Sequence, residues 1–332
     1  MRLLTFLILF FHISAVSFAQ DYEALENLLT NRISVKGQEP VKLNIYDRMK
    51  HHKVPGVALA IVHGGKMVWA KSWGLKSVES GEVLSNETLF QAASISKPLA
   101  ALAAMRLVEE GLLSLDKPIN DYLKSWKVPK NEFTEEIPVT LRQLLTHSAG
   151  TTVHGFPGYD HNVDYPTVVE VLNGEEPANT GAVFVDKIPG EGWRYSGGGY
   201  TIAQLAMEDV TGLKFPEIMR KYVFDPFEME MSTYDNHLSA THLKRAATAH
   251  NSNGEAHGIA EGESVGRYHL YPELAAADMW TNPSELAKTI IHTNDIYHQQ
   301  NDTILSENSA KEIFKIHDDN QGIGYALEVR DD

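Results

Sequence analysis

Segments with strand-like patterns stand near the two ends of the chain, and a long helical stretch separates them. Residues 57–62 are all apolar, residues 67–70 follow a His-Gly-Gly turn, and together they predict a β-hairpin. A further apolar run at 323–329 predicts a strand, whereas residues 115–241 show helical signals separated by loops rich in Gly, Pro and Asn. A sheet must therefore draw its strands from distant parts of the sequence. We expect an α/β (α+β) fold in which helices flank an antiparallel sheet.

The same pattern predicts two parts within one domain that spans residues 21–332. The sheet part comprises residues 21–115 and 245–332, and the helical part comprises residues 116–244. A chain of 332 residues with 43% hydrophobic content is long enough to bury a large core. Residues 21–53 are expected to be helical because apolar side chains recur at helical spacing, namely Leu25, Leu28, Leu29 and Ile33.

The first 19 residues have the order of a secretory signal peptide. Arg2 supplies the positive start, an apolar run follows, and the small residues Ser17 and Ala19 precede a cleavage point near Ala19. An uncleaved membrane anchor is the alternative, but His12 and Ser14 interrupt an apolar run that is short for a membrane span. We therefore expect an exported bacterial protein, periplasmic or secreted, without a stable membrane span.

Composition argues against several classes of function. The net charge of −15 argues against nucleic-acid binding and against docking on anionic lipid. Cysteine is absent, which excludes disulfides, thiolate metal sites and a cysteine nucleophile. Histidines are numerous, for example His51, His52, His154 and His161, but no His-Glu-x-x-His motif occurs, and we predict neither a metal nor another cofactor. Residues 154–159 are rich in glycine but lack the setting of a phosphate loop, so we expect them to line a cleft.

Ser94 and Lys97 stand three residues apart at the start of a predicted helix over 94–110, so both side chains lie on one helix face. A helix N-terminus favours the development of negative charge on a serine. A lysine one turn away can take the hydroxyl proton if burial lowers its pKa. The spacing alone is common, and the alternative is that Ser94 only caps the helix and Lys97 is solvated.

A second candidate residue lies in a glycine-rich loop before a predicted helix over 201–210. Tyr195 can present its hydroxyl in a cleft from this loop. A phenol beside a lysine ammonium loses its proton more readily than its ordinary pKa of about 10 allows, and it can then act as general base for a serine. The alternative is a core tyrosine that packs the loop.

Taken together, these residues resemble the class C β-lactamase-like hydrolases, a branch of the serine-active penicillin-binding proteins and β-lactamases. The resemblance covers roughly residues 40–328 and implies a β-lactamase/transpeptidase-like antiparallel sheet with a helical domain. Its main motifs are Phe-Gln-Ala-Ala-Ser-Ile-Ser-Lys at 90–97, Leu-Leu-Thr-His-Ser-Ala-Gly at 144–150, Tyr-Ser-Gly at 195–197 and Trp-Thr-Asn-Pro-Ser-Glu-Leu-Ala at 280–287.

The resemblance assigns roles to five residues. Ser94 matches the acylated nucleophile, and Lys97 matches its proton-relay partner. Tyr195 matches the tyrosine that acts with Lys97 as general base. Ser196 and Gly197 follow in the same motif and match substrate-binding positions.

Two departures from the family pattern bear on function. Gly197 stands where family members commonly have an asparagine whose amide contacts the lysine and the substrate's acyl amide, so esters and D-peptides are favoured over β-lactams. The family's third motif lies on a strand that follows a segment like residues 322–327, and the chain reaches Asp332 before such a strand. We therefore expect C-terminal strands to be missing, which leaves the 323–329 strand with an uncovered edge.

The sequence thus predicts an exported serine hydrolase that acts through a Ser94 acyl-enzyme on an ester, a D-amino-acid peptide or a β-lactam. Its partner would be this small-molecule substrate. Two alternatives stay open at this point. One is a non-catalytic relative that binds cell-wall peptide or a partner in the same cleft, and the other is an inactive truncated fragment.

Overall fold

The computed structural model describes residues 22–31, 33, 35–257, 268–298, 304–317 and 322–323. The chain divides into two compact units, Met1–His51 and His52–Asp332. The α-helices are α1 Ile45–His52, α2 Ser96–Glu109, α3 Leu141–Leu145, α4 Val168–Asn173, α5 Gly197–Thr211, α6 Phe215–Met219, α7 Ala240–Leu243, α8 Leu274–Ala277, α9 Pro283–Tyr297 and α10 Glu307–Phe314. The strands are β1 Gly56–His63, β2 Lys66–Gly74, β3 Phe90–Gln91 and β4 Trp280–Thr281. Short 3₁₀ segments lie at Tyr22–Asn27 and Ile119–Asp121, and a π-helical turn lies at Arg220–Phe224.

The expectation of a helix throughout 21–53 is wrong. A 3₁₀ helix ends at Asn27, Leu29 then forms an antiparallel bridge with Leu43, and α1 begins only at Ile45. The intervening segment contains Gly37 at φ +87° and Pro40, and these two residues disfavour a continuous helix. Regular apolar spacing does not produce a continuous helix across these two residues.

The predicted β-hairpin is confirmed. β1 and β2 pair antiparallel along their whole length, with a bulge between Ile61 and Val62. Gly64 and Gly65 form the turn at φ +58° and +72°, a combination that glycine adopts readily and that matches the twist of a two-residue hairpin. Helix α9 packs against both strands, while Leu59 stays 41% exposed.

Helix α2 is the central helix of the larger core. It is alanine-rich and buried over most of its surface, and α5, α6 and α8 pack against it. Small side chains allow this close approach of several helices. Gly111, at φ +71°, follows the helix end, where a left-handed glycine is common. Helices α3 to α7 follow between loops, in agreement with the helical pattern of the middle of the sequence.

The second pair of strands connects the start of α2 with a segment far along the chain. β3 pairs antiparallel with β4, and the Ala92 amide donates to the Met279 carbonyl at 2.7 Å. The Met279 amide donates in turn to the Ser96 Oγ at 2.9 Å. Within the described residues, the strands form two separate antiparallel pairs instead of the single sheet expected: β1 pairs with β2, and β3 with β4. Trp280 of β4 also forms an antiparallel bridge with Thr233.

The strand expected at 323–329 lies outside the described residues except for Ile323. That residue is buried in a turn, and its amide donates to the Ile313 carbonyl of α10 at 3.1 Å. Among the helices of the described ranges, none combines the length and apolar character needed to span a bilayer. The same part of the chain holds no group of three or more His, Cys, Asp or Glu side chains placed to bind a metal ion.

Candidate active site

Ser94 lies in the turn immediately before α2, not at its capping position. The helix begins at Ser96, and the Lys97 amide donates to the Ser94 carbonyl at 3.2 Å. Ala93, directly before the serine, has φ +47°, a left-handed conformation that is uncommon for residues other than glycine. Such backbone strain clusters at functional sites. The turn leaves the Ser94 side chain exposed.

Lys97 is buried one turn later and reaches back to the serine. Its Nζ donates to the Ser94 Oγ at 3.1 Å and to the carbonyl of Ala276, the penultimate residue of α8, at 2.7 Å. The side chain is 3% exposed, and burial lowers the pKa of Lys97 to about 7. A solvated lysine, the alternative left open by the sequence, is therefore wrong. Close to half of the amines are neutral at neutral pH and able to accept the serine proton.

Tyr195 completes the cluster from the loop before α5. The Lys97 Nζ lies 4.9 Å from the centre of its ring, and its hydroxyl is hydrogen-bonded to the Ser94 side chain. Burial raises the pKa of Tyr195, and the hydrogen bond with Ser94 offsets only part of this effect. The expected loss of the phenol proton beside the lysine is thus wrong for this state, because burial outweighs the favourable contacts. Lys97 is the group that titrates near neutrality, and burial favours the protonated phenol of Tyr195.

His147 holds the Tyr195 loop in place from the end of α3. Its Nδ1 accepts from the Ser196 amide at 3.1 Å, its carbonyl accepts from the Arg194 amide at 2.8 Å, and its ring lies 4.3 Å from the Tyr195 ring. Burial, and then the charges of Lys97 and His154, lower the pKa of His147 to about 3. The imidazole is therefore neutral, and its Nδ1 lone pair is available to fix the loop.

We predict that His147→Ala lowers kcat/KM for an ester on the order of tenfold, because the buried Ser196 amide loses its acceptor. The loss should fall on kcat, and the pH profile should keep its midpoint. His154→Ala is the matched control, since the exposed His154 also contacts the Tyr195 ring, at 4.8 Å, but bonds no amide of the Tyr195 loop through its side chain. Equal losses in both variants would contradict a positioning role for His147.

A second prediction concerns pH. The family resemblance assigns Lys97 the role of base, and only its neutral amine can accept a proton. On that assignment, kcat/KM for an ester should rise about tenfold per pH unit below 7 and level off above it. The measurement is initial rates with p-nitrophenyl butyrate between pH 5.5 and 9, corrected for spontaneous hydrolysis. A flat profile, or one that falls with pH, would show that Lys97 is not the base.

Ser196 and Gly197, the predicted substrate-binding residues, are both buried at the start of α5. The Ser196 Oγ accepts from the Gly199 amide at 3.0 Å and donates to the Thr152 carbonyl at 2.7 Å, so its hydroxyl caps the helix. The Gly197 amide donates to the His154 carbonyl at 3.0 Å. Their role toward a substrate stays a prediction.

Two buried acids flank α8, whose Ala276 carbonyl holds Lys97. Glu273 precedes the helix, and Asp278 follows it. Within the described part of the chain, neither carboxyl oxygen of Glu273 has a hydrogen-bond partner, whereas Asp278 accepts from the Gln91 Nε2 at 2.6 Å through one oxygen. Burial raises the pKa of Glu273 to about 7 and raises that of Asp278 well above its ordinary range. Glu273 is therefore about half protonated at pH 7, and burial favours the neutral form of Asp278.

The sequence did not reveal His147, Phe156 or the two acids. His147 stands within the motif at 144–150, and only its neighbours in space relate it to Tyr195. Phe156 lies in the loop at 154–159 that is expected to line a cleft, and no local signal gives it a role of its own. The acids lie in a segment without regular periodicity, and no local signal marks a carboxyl as buried.

Comparison with known proteins defines the class of this fold and site. A penicillin-binding protein homologue from Pyrococcus abyssi, described as octameric, superimposes with a TM-score of 0.63 at 26% identity, over 82% of this chain and 59% of that chain. The hydrolase EstCE1, described as having promiscuous acyltransferase activity, superimposes with a TM-score of 0.62 at 21% identity, over 82% of this chain and 75% of that chain. The fold is therefore β-lactamase/transpeptidase-like.

Sequence comparison gives the family. The Beta-lactamase family model matches residues 41–331, and the chain belongs to this family. It is 29% identical to esterase EstB of Burkholderia gladioli, over 46% of this chain and 40% of that protein. It is 27% identical to penicillin-binding protein 4* of Bacillus subtilis (strain 168), over 59% of this chain and 42% of that protein. The chain thus spans less than half the length of these relatives.

Proposed function

We propose that the chain is a serine hydrolase that acts through a Ser94 acyl-enzyme, with carboxylic esters preferred over β-lactams. One observation carries the proposal: the Nζ of a buried lysine with a pKa of about 7 lies 3.1 Å from the Ser94 Oγ. The nucleophile and its base are thus in contact, and the base is half-deprotonated at neutral pH. The name of esterase EstB supports ester chemistry for a protein similar to this chain.

The reaction follows from these positions. Neutral Lys97 takes the Ser94 hydroxyl proton, directly or through Tyr195, while the Oγ forms a bond to the ester carbonyl carbon. The ester C–O bond breaks, and the leaving alkoxide takes a proton back from the Lys97 ammonium. Water then attacks the acyl-enzyme and gives a proton to Lys97. The bond from the Ser94 oxygen to the acyl carbon breaks, the Ser94 oxygen takes that proton back from the Lys97 ammonium, and the carboxylic acid leaves.

The preference for esters rests on Gly197. Glycine offers no side-chain amide to grip an amide of the acyl group, which β-lactams and D-peptides carry. Loss of one such hydrogen bond in a closed site costs on the order of 1–3 kcal/mol, or roughly 5- to 150-fold in rate. Simple esters do not need this contact.

Export belongs to the same proposal. The charge, apolar run and small residues of positions 1–19 support a cleaved signal peptide and a periplasmic or secreted location in a bacterium. N-terminal sequencing of the protein recovered from a bacterial periplasm tests the cleavage near Ala19.

We also propose that residues 21–332 divide into a sheet part and a helical part, with the helical part at 116–244.

A fluorophosphonate probe tests the proposed chemistry. The purified mature chain should become covalently labelled on the peptide that holds Ser94, as mapped by mass spectrometry. Its kcat/KM for a p-nitrophenyl ester should exceed that for the β-lactam nitrocefin. Absence of labelling would contradict the enzyme and favour a binding protein with the same cleft, and a reversed order of the two substrates would contradict the ester preference.

A further inference from the structure

The space beside Gly197 is already filled by an aromatic ring. A Cβ built on Gly197 would lie 2.9 Å and 3.4 Å from the Cε2 and Cδ2 atoms of Phe156, and 3.2 Å from the His154 carbonyl oxygen. Gly197 therefore does more than remove a side-chain amide, because it also leaves room for the Phe156 ring. The Phe156 ring lies where a side chain at position 197 would start, and position 197 is two residues after Tyr195.

The loop that carries Phe156 is bonded to the Tyr195 loop on one side. The amides of Gly197 and Gly198 donate to the carbonyls of His154 and Val153 at 3.0 and 3.1 Å. Val153 itself has φ +60°, a conformation that is a genuine outlier for a β-branched residue. Surrounding contacts must impose such a conformation, so the loop is held in one shape.

On its other side the loop is bonded to the segment before α8. Tyr159 and Leu270 exchange both backbone hydrogen bonds, at 2.9 and 2.8 Å, and the Asn179 Nδ2 donates to the Gly158 carbonyl at 2.9 Å. Gly158 has φ +82°, and a Cβ there would lie 2.7 Å from the Tyr271 ring. Fixed at both ends, Phe156 is half-buried against the main core and keeps part of its ring accessible.

We propose that Phe156 forms an apolar wall of the acyl-binding site and makes the enzyme prefer esters whose acyl chain is apolar and longer than acetyl. The inference rests on the proposed serine-hydrolase function. An aromatic ring offers contact area to methylene groups but no conventional hydrogen bond to an amide. The ring therefore disfavours the amide-bearing acyl groups that an asparagine at position 197 would bind. A hydrocarbon chain binds more favourably in their place.

A series of p-nitrophenyl esters tests this wall. Each methylene fully buried against protein contributes up to about fourfold in kcat/KM, so hexanoate should exceed acetate by at least about tenfold. Phe156→Gln, which puts a polar group against the chain, should reduce this hexanoate-to-acetate ratio by about tenfold. Phe156→Leu keeps an apolar side chain and should hold the ratio within about threefold. Phe133→Ala is the control, because Phe133 is a half-buried aromatic that packs on the same core from another loop.

A second pair of variants probes the contact between the two positions. Gly197→Asn alone should lower ester hydrolysis, because its Cβ meets the Phe156 ring. Adding Phe156→Ala should restore part of that activity and raise the nitrocefin-to-hexanoate ratio, since only the His154 carbonyl, at 3.2 Å, then crowds position 197. Additive effects of the two substitutions would show that the residues do not share this space.

The outcomes separate the inference from the proposed function. If wild-type protein shows neither fluorophosphonate labelling nor ester hydrolysis, the proposed function fails and takes the inference with it. If wild type labels and hydrolyses esters but shows no rise from acetate to hexanoate, or if Phe156→Gln keeps the ratio, only the inference fails. Circular dichroism melts of each variant identify any that do not fold, and the Phe156→Leu and Phe156→Gln comparison then decides.

Discussion

Replacement of Ser94 by alanine is expected to abolish fluorophosphonate labelling and to lower kcat/KM for p-nitrophenyl butyrate by at least about a thousandfold. The reason is that Ser94 is the hydroxyl bonded to both the Lys97 Nζ and the Tyr195 side chain. Without it no acyl-enzyme can form. Because the side chain is exposed in a turn, its truncation should leave the melting temperature within about 2 °C of the wild type.

The matched control is Ser80→Ala, which removes an exposed loop hydroxyl that accepts from the Glu82 amide. This variant should retain labelling and ester hydrolysis. Labelling that persists in Ser94→Ala would place the nucleophile elsewhere. If Ser94→Ala is not labelled but hydrolyses the ester at the wild-type rate, the ester is cleaved by a route that needs no covalent serine.

Replacement of Glu273 by glutamine is expected to stabilise the protein by about 3 kcal/mol at pH 8 to 9, with no such gain below pH 4.5. The carboxyl pKa is about 7 in the folded protein and 4.5 as the ordinary value, so the folded state holds the proton more tightly than the unfolded state. The stability of the wild type therefore falls as pH rises from 4.5 to 7. Above pH 7 the loss is complete, and it corresponds to the pKa difference of about 2.5 between the folded and unfolded states. Glutamine keeps the shape and cannot ionise.

Denaturant unfolding of both proteins at pH 4.5 and pH 8.5 measures the effect. The difference in unfolding free energy between variant and wild type should grow by about 3 kcal/mol between the two pH values. The control is Glu132→Gln, at an exposed position, for which the difference should stay below about 0.5 kcal/mol. If the difference in unfolding free energy between Glu273→Gln and the wild type is equal at both pH values, this carboxyl does not titrate in the folded protein as proposed.

Local patterns predicted much of this molecule. The hairpin and α2 follow from apolar spacing and turn glycines, which act within a few residues. The Ser94 and Lys97 pair and Tyr195 were found in the same way, with their approach to each other inferred from a family resemblance. The structure brings all three together.

Other features depend on partners that sequence proximity does not reveal. The pKa of Lys97 is set by burial among elements on distant parts of the chain, and the protonated state of Tyr195 follows from burial that local reasoning underestimated. The role of His147 arises from contacts with a loop 49 residues later. Phe156 fills space beside a glycine 41 positions away, and no periodicity encodes such a contact.

The contact of Lys97 with the Ala276 carbonyl, 179 residues further along the chain, ties chemical competence to the completion of folding. Ser94 and Lys97 are synthesised almost together, yet in an unfolded chain the lysine is a solvated ammonium with a pKa near 10.5 and cannot accept a proton at neutral pH. Before folding, the Ser94 hydroxyl therefore has no base beside it that could take its proton. A base becomes available only when Lys97 is buried against α8, so we expect the reactivity of Ser94 to report on completion of the fold.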